Sequence, residues 1–324
     1  MRPSPQLQHR HLFLALIIGL AVGILRVQLA HQIRPLLGNG AGDFTFALRI
    51  AHDIWEGRDT YAYPAAPDSV SYPLPAGLIS MPFALLEDEV ASGVFMGLSS
   101  FLLAWCLLRN GKSWPLLVFL SWPFAYAVLF AQWTPLIMCL WCFPVMLPLI
   151  LVKPHIALPL VLTGKISKNG ILFTILLIIG SLVIYPTWPL AWLEQTGTYR
   201  GLPPLLSLPL GPILLLALLK YRDRRAWLLF LLSAMPQRVL YDQLPLFLIA
   251  ITGMEMIFLV FCSWITLYIL FLSGGWTQVP ISWQFWIVLT LYIPALLVLL
   301  WPDIVKKFNI FTRRSSELLT GRIP

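Results

Sequence analysis

The sequence predicts an all-α polytopic integral membrane protein, and three observations carry that expectation. Apolar residues make up 59% of the chain and charged residues 11%, with a mean hydropathy of +0.81. Runs of roughly 18 or more apolar residues recur along the whole length, the signal of membrane-spanning helices. These runs are too long and continuous for the two-residue alternation of an outer-membrane barrel. In hydrocarbon only helices or closed barrels satisfy their own backbone groups. Roughly ten spans, with interfacial and re-entrant helices between them, fit the chain as a single transmembrane domain over 1–324.

The net charge of +8 does not point to nucleic acid, because its placement is wrong for that partner. Basic residues come in short clusters between apolar runs: Arg109/Lys112, Lys165/Lys168, Lys220 with Arg222, Arg224 and Arg225, Lys306/Lys307 and Arg313/Arg314. That is the pattern of cytoplasmic loops under the positive-inside rule, and membrane lipids of an anionic leaflet are a sufficient partner. The four cysteines, Cys106, Cys139, Cys142 and Cys262, all fall in apolar runs. They are expected as small hydrophobes in helix packing, with no disulfide framework.

Taken in order, a polar start with Arg2 and Arg10 precedes an apolar run from Leu12 to Ala30. No small-residue cleavage pattern follows, so the run is a retained first span with a cytoplasmic N-terminus. Arg26, near its outer end, is expected to snorkel. A first extracytoplasmic loop over 31–88 comes next. In it, Phe44, Ala47, Leu48, Ala51 and Trp55 have the spacing of an amphipathic helix lying in the membrane interface, stopped by Gly57. Leu74 to Leu86 is too short to span comfortably, and Val90 to Leu108 crosses inward to Arg109 and Lys112. Over 134–165, Pro135, Pro144, Pro148, Pro154 and Pro159 predict a broken or re-entrant element. A second outer loop covers 189–204, and a cytoplasmic tail covers 303–324. With both termini cytoplasmic, the assigned inner side carries 16 Lys/Arg against 4 Asp/Glu, and the outer side 5 against 10. The expected location is the plasma membrane.

The long polar loop is where chemistry is expected, since loops of about forty residues between spans tend to be functional or disordered and this one is rich in aromatics and proline. On the residues alone Asp43 is either an N-cap of the amphipathic helix or a proton acceptor, roles that are compatible. Lys153 is either an anchor at the cytoplasmic surface or a buried phosphate ligand. Arg238, Tyr241, Asp242 and Gln243 form a second polar break in an apolar run, either an outer turn or a substrate contact. His52 and Asp53 lie on the polar face of the amphipathic helix, and no histidine pair has metal-ligand spacing.

Several motifs together resemble the membrane glycosyltransferases of family 87, within the class that has the GT-C fold. Gly42-Asp43-Phe44, Gly57-Arg58-Asp59-Thr60-Tyr61, Tyr72-Pro73-Leu74-Pro75 and Met81-Pro82 match its opening in order. Gln132 stands at the family's Gly-Gln position, with Ala131 in place of the glycine, and Lys153-Pro154 at its Lys-Pro. The likeness covers about residues 42–155.

The resemblance implies transfer of a sugar from a polyprenyl-phosphate donor to a lipid or glycan acceptor on the extracytoplasmic face, with inversion. Mannose is the sugar the family suggests, with arabinofuranose as an alternative. Asp43 is then the general base; Lys153, Arg238 and Gln132 hold the donor phosphate; Tyr61, Tyr72, His52, Asp242 and Tyr241 face substrate. No cofactor is implied and no metal is indicated. Two other classes fit the same composition: a lipid or small-solute transporter or flippase, and a non-catalytic membrane subunit of an envelope-assembly complex.

Overall fold

The computed structural model describes residues 5–37, 41–62, 72–196, 201, 203–237, 241–272 and 282–301. Arg238 and the tail over 303–324 therefore lie outside the described residues, as do 197–200 and 202 of the second outer loop. All regular structure among the described residues is helical.

Helix α1 (Pro5–Leu37) is about 50 Å long at 1.5 Å per residue. It lies against α4 (Asp88–Leu108), whose 21 residues rise about 31 Å, close to the thickness of a bilayer's hydrocarbon core. Small residues let the two backbones meet: a Cβ on Gly23 would stand 3.0 Å from the Gly93 carbonyl oxygen, and one on Gly97 3.0 Å from that of Gly19. This reciprocal pair of Gly-x-x-x-Gly surfaces is the close crossing that small residues permit in membranes. Arg26 does not snorkel. It is 1% exposed, and Glu89, itself buried, attracts it from α4. A guanidinium turned into a helix contact needs an opposite charge there, which an apolar neighbour could not supply.

Helix α2 (Phe44–Glu56) buries Phe44, Ala47, Leu48, Ile50 and Ala51. Trp55, counted on the apolar face from spacing, is 65% exposed. Gly57, with φ of 69°, closes the helix. Asp53 is also buried and is no part of a solvated face: it accepts from Arg58 Nε at 2.8 Å and Thr60 Oγ1 at 3.0 Å, tying the chain after α2 back onto the helix. Helix α3 (Leu74–Ser80), extended by a 3₁₀ turn over Met81–Phe83, packs its Gly77 against Ile50.

Beyond α4 the chain is chopped. A 3₁₀ segment Trp114–Leu120 leads into α5 (Trp122–Leu129); α6 (Thr134–Met138) continues as 3₁₀ over Cys139–Trp141. A 3₁₀ segment Pro144–Leu151 precedes α7 (Pro154–Thr163), then α8 (Lys168–Ile184) and α9 (Trp188–Thr196). Further 3₁₀ turns at Pro204–Leu206 and Gly211–Lys220 lead to α10 (Arg224–Ala234), and Leu244–Ile249 to α11 (Gly253–Leu272). Helix α12 (Ser282–Ile287) passes through a π turn at Val288–Tyr292 and runs on to Trp301.

Ten spans are not present. Among the described residues three helices are long and apolar enough to cross a membrane, Leu7–Gln32, Asp88–Leu108 and Gln284–Trp301; α8 and α9, bent by 92°, make a fourth if taken as one span. The cause is proline, which removes a helical donor and disfavours helical backbone at the preceding residue. Pro115, Pro123, Pro135, Pro144, Pro154, Pro204, Pro212 and Pro245 each stand at the first or second position of a new short segment. Hydropathy sees one apolar run where the backbone makes two or three pieces.

Among the described residues, Arg109, Lys112 and the basic residues of 220–225 gather at one end. Arg109 Nη1 donates to the Cys142 carbonyl at 2.9 Å, Arg225 Nη1 to that of Ile249 at 3.3 Å, and Lys220 Nζ to that of Leu299 at 2.7 Å. Here Cys106 and Cys142 form a disulfide, Cα atoms 5.6 Å apart, which corrects the expectation of unpaired cysteines. The pairing joins the end of α4 to a turn 36 residues away, a neighbourhood set by tertiary packing and invisible in spacing. Cys139 and Cys262 are free and buried.

Candidate functional site

About 16 Å above that basic end, at the level of Phe95 on α4, three chain breaks bring polar side chains together. The first break precedes α2. Gly42 has φ of 60°, and a Cβ there would stand 2.7 Å from the Phe130 carbonyl oxygen. Only glycine fits so close an approach, and it lets the Asp43 N–H donate to Phe130 O at 2.9 Å. Asp43 occupies the N-cap position of α2, yet its side chain makes no cap hydrogen bond. The carboxylate is turned elsewhere.

It is turned to Gln132, at the second break. Helix α5 ends with the Gln132 N–H donating back to Ala127 O at 2.8 Å, around Ala131 at φ of 47°. This is the left-handed terminator that glycine usually occupies. The turn points the Gln132 amide inward, where Nε2 donates to Asp43 Oδ2. On its other side, Gln132 Oε1 accepts from Lys153 Nζ at 2.6 Å.

Lys153 marks the third break. The residue before proline is pushed out of helical geometry, and Lys153, with φ of −137° and ψ of 80°, interrupts the chain between the 3₁₀ segment and α7. Its side chain is buried, between the rings of Tyr241 and Tyr72, whose centroids lie 4.8 and 5.7 Å from Nζ. Those faces attract the cation. Asp242 Oδ1 stands 3.9 Å from Nζ, and its Oδ2 lies 3.3 Å from His155 Nε2. Lys153 thus stands in the buried chain that starts at Asp43, and of its two sequence readings the surface anchor does not hold.

The sequence of contacts is carboxylate, amide, ammonium, carboxylate, imidazole. Gln132 and Asp242 are fully buried, Lys153 is 8% exposed, and the two outer members, Asp43 and His155, are half-buried. One carboxylate, Asp242, faces the ammonium directly and the other, Asp43, reaches it through the Gln132 amide, an arrangement that geometry must hold because desolvation opposes it. Phe44 stacks on Phe95 with centroids 4.1 Å apart, and Trp133 meets Phe95 at 4.8 Å. The residues on each side of Asp43 and Gln132 are thereby fixed.

Of the sequence candidates, Asp43, Gln132, Lys153, Tyr72, Tyr241 and Asp242 converge. Tyr61 stands one step away, its hydroxyl donating to Tyr72 O at 3.1 Å and its ring stacked on Tyr185 at 5.8 Å. His52 lies about 14 Å farther along the α2 axis than Asp43, out of reach of its carboxylate. Sequence reasoning missed His155, though it sits two residues after Lys153. It also missed Tyr126, stacked on Tyr241 at 5.8 Å, and Tyr292, which donates to Gln237 Oε1 from the π turn. Nothing local to Tyr292 signals that contact. Among the described residues there is no group of three or more His, Cys, Asp or Glu placed to hold a metal ion.

Comparison of the chain with protein families, curated proteins and solved structures finds no match.

Proposed function

We propose that this protein is a glycosyltransferase that moves a sugar, mannose on the family resemblance, from a polyprenyl phosphate to a lipid or glycan acceptor at an extracytoplasmic membrane surface. One observation carries the reading: the Asp43 carboxylate, free of any capping role, is held by Gln132, which is in turn held by Lys153. The three residues come from the three motifs that resemble family 87. Ala131, standing for the family's glycine, is in the backbone region that favours glycine.

The chemistry follows from the arrangement. The acceptor oxygen attacks the anomeric carbon, the bond from that carbon to the phosphate oxygen breaks, and polyprenyl phosphate leaves with the bonding pair. The acceptor's proton goes to Asp43, the half-exposed end of the chain. The leaving phosphate gains charge, and Lys153 is the nearby cation, with Arg238 proposed beside it. Asp242 and the rings of Tyr72 and Tyr241 position that ammonium. Buried Trp133 Nε1 and Thr134 Oγ1, which follow Gln132, have no hydrogen-bond partner among the described residues; a sugar hydroxyl is a suitable one.

The charge pattern supports the proposed orientation. Glu87, Asp88 and Glu89 begin α4 nearer the site, and Arg109 and Lys112 follow its other end. On the positive-inside rule the basic end of α4 then faces the cytoplasm and the site the outside, where nucleotide sugars are absent and a lipid-linked sugar is the available donor.

Ionisable groups at membrane depth also mark transport paths, so the buried Lys153, Asp242 and His155 lend support to a carrier. Vesicles containing the purified protein and polyprenyl-phosphate [³H]mannose with membrane acceptors distinguish the two. Label moving from donor to acceptor supports transfer; donor crossing the bilayer with its sugar still attached would replace transferase with flippase.

A further inference from the structure

At the basic end, away from the Asp43 chain, lies a cavity of about 510 Å³ between the ends of α4, α10 and α11. Its charged wall is Lys112, Arg224, Arg225 and one carboxylate, Asp223, with Asn110 beside them; its floor is apolar, with Trp114, Trp141 and Phe247. The Cys106–Cys142 disulfide forms part of the same wall.

The charges are not equivalent. Arg225 is committed to Asp223: its Nη2 donates to Oδ2 at 2.5 Å and its Nε to Oδ1 at 3.1 Å, while Asp223 caps α10 by accepting from the Arg225 N–H at 2.9 Å. Asp223 is held below its ordinary value, because these bonds to Arg225 outweigh the opposing effect of burial. Lys112 and Arg224 have no carboxylate within ion-pair distance among the described residues. Arg224 lies flat on Trp141, its guanidinium carbon 3.7 Å from the ring centroid. Stacking fixes the plane and leaves the N–H fork at its edge for an anion.

We propose that this cavity binds the phosphate headgroup of an anionic phospholipid. A phosphodiester gives Lys112 an anion, and gives Arg224 one beyond the attraction of neighbouring Asp223, and the apolar floor takes the first methylenes. The chain has a path onward. Ile251 at the rim is 47% exposed, and Met254, Ile257, Phe258, Phe261 and Trp264 follow on α11 at helical spacing, each at least 40% exposed. That apolar stripe leads from a cationic mouth along a helix face, the shape of a lipid and not of a free phosphate. Interfacial tryptophans and basic residues together are what anionic leaflets select.

The test is native mass spectrometry of the detergent-solubilised full chain with matched phosphatidylglycerol and phosphatidylcholine, and with inorganic phosphate as competitor. Wild type should retain phosphatidylglycerol about tenfold better, and Lys112→Gln with Arg224→Gln should abolish the preference. Arg224→Lys, which keeps charge without the fork, should lose part of it. Lys165→Gln with Lys168→Gln, outside the cavity, should retain it, and thermal unfolding establishes that each variant is folded. Equal retention of both lipids overturns the proposal. So does an equal loss in the Lys165/Lys168 variant, which would mean diffuse surface attraction. Displacement of lipid by millimolar phosphate would make the cavity a site for a soluble phosphate and also overturn it.

Discussion

Lys153 Nζ donates to Gln132 Oε1 at 2.6 Å, and that bond determines which way the amide faces Asp43. With its oxygen held by an ammonium, the amide can offer only its NH₂ group to the carboxylate. Gln132→Ala should therefore affect both neighbours at once. We expect a stability loss of about 1–3 kcal/mol from two buried groups left short of a partner, and a fall in sugar transfer. Thermal unfolding and a transfer assay read the two effects. Unchanged values in both would show that the bridge does nothing.

Lys153 and Asp242 should be coupled. Lys153→Met leaves the buried Asp242 carboxylate without its cation and should cost about 3–5 kcal/mol, as for other broken buried pairs. Asp242→Asn added to it should recover part of that loss, giving a coupling of about 0.5–3 kcal/mol in a double-mutant cycle. Strict additivity would mean that the 3.9 Å contact carries no energy.

Ala131 offers a stabilising change. A side chain at φ of 47° is strained, and glycine is not. Ala131→Gly should raise stability by up to about 1 kcal/mol and leave transfer intact, since the Gln132 amide keeps its aim. Gly42→Ala, with its Cβ against the Phe130 carbonyl, should do the opposite. Both are read by thermal unfolding, and a loss of stability in Ala131→Gly would contradict the role given to this turn.

Much of the site is legible in the sequence, and less of the fold. Asp43, Gln132 and Lys153 each stand at a break in apolar sequence, and breaks at membrane depth are where polar groups can be buried usefully. Asp242 and Tyr241 were visible for the same reason. Tyr292 was not, because its place depends on a π turn in a helix that is largely apolar. The span count failed on a different point. Hydropathy averages over Pro115, Pro123, Pro212 and Pro245 as if they were ordinary residues, while a new segment starts at each; only the dense prolines of 134–165 read as breaks. Cys142 reads from its apolar surroundings as a small unpaired hydrophobe; the partner that packing supplies is Cys106.

The disulfide also tests the orientation. On the proposed orientation the Cys106–Cys142 end faces the cytoplasm, where glutathione keeps thiols reduced, so the disulfide of the structure stands against that orientation. Two free thiols in intact cells, trapped with maleimide before lysis, would uphold it. A bond already complete in trapped cells would turn the protein over and put the basic end outside.

The central claim is that Asp43 accepts the acceptor's proton. Asp43→Asn preserves size and the contact with Gln132 but cannot take that proton. Steady-state transfer from polyprenyl-phosphate mannose in lipid should show kcat lower by about 10²–10⁴, with KM for the donor and the unfolding temperature nearly unchanged. A variant that transfers sugar at the wild-type kcat would contradict the account.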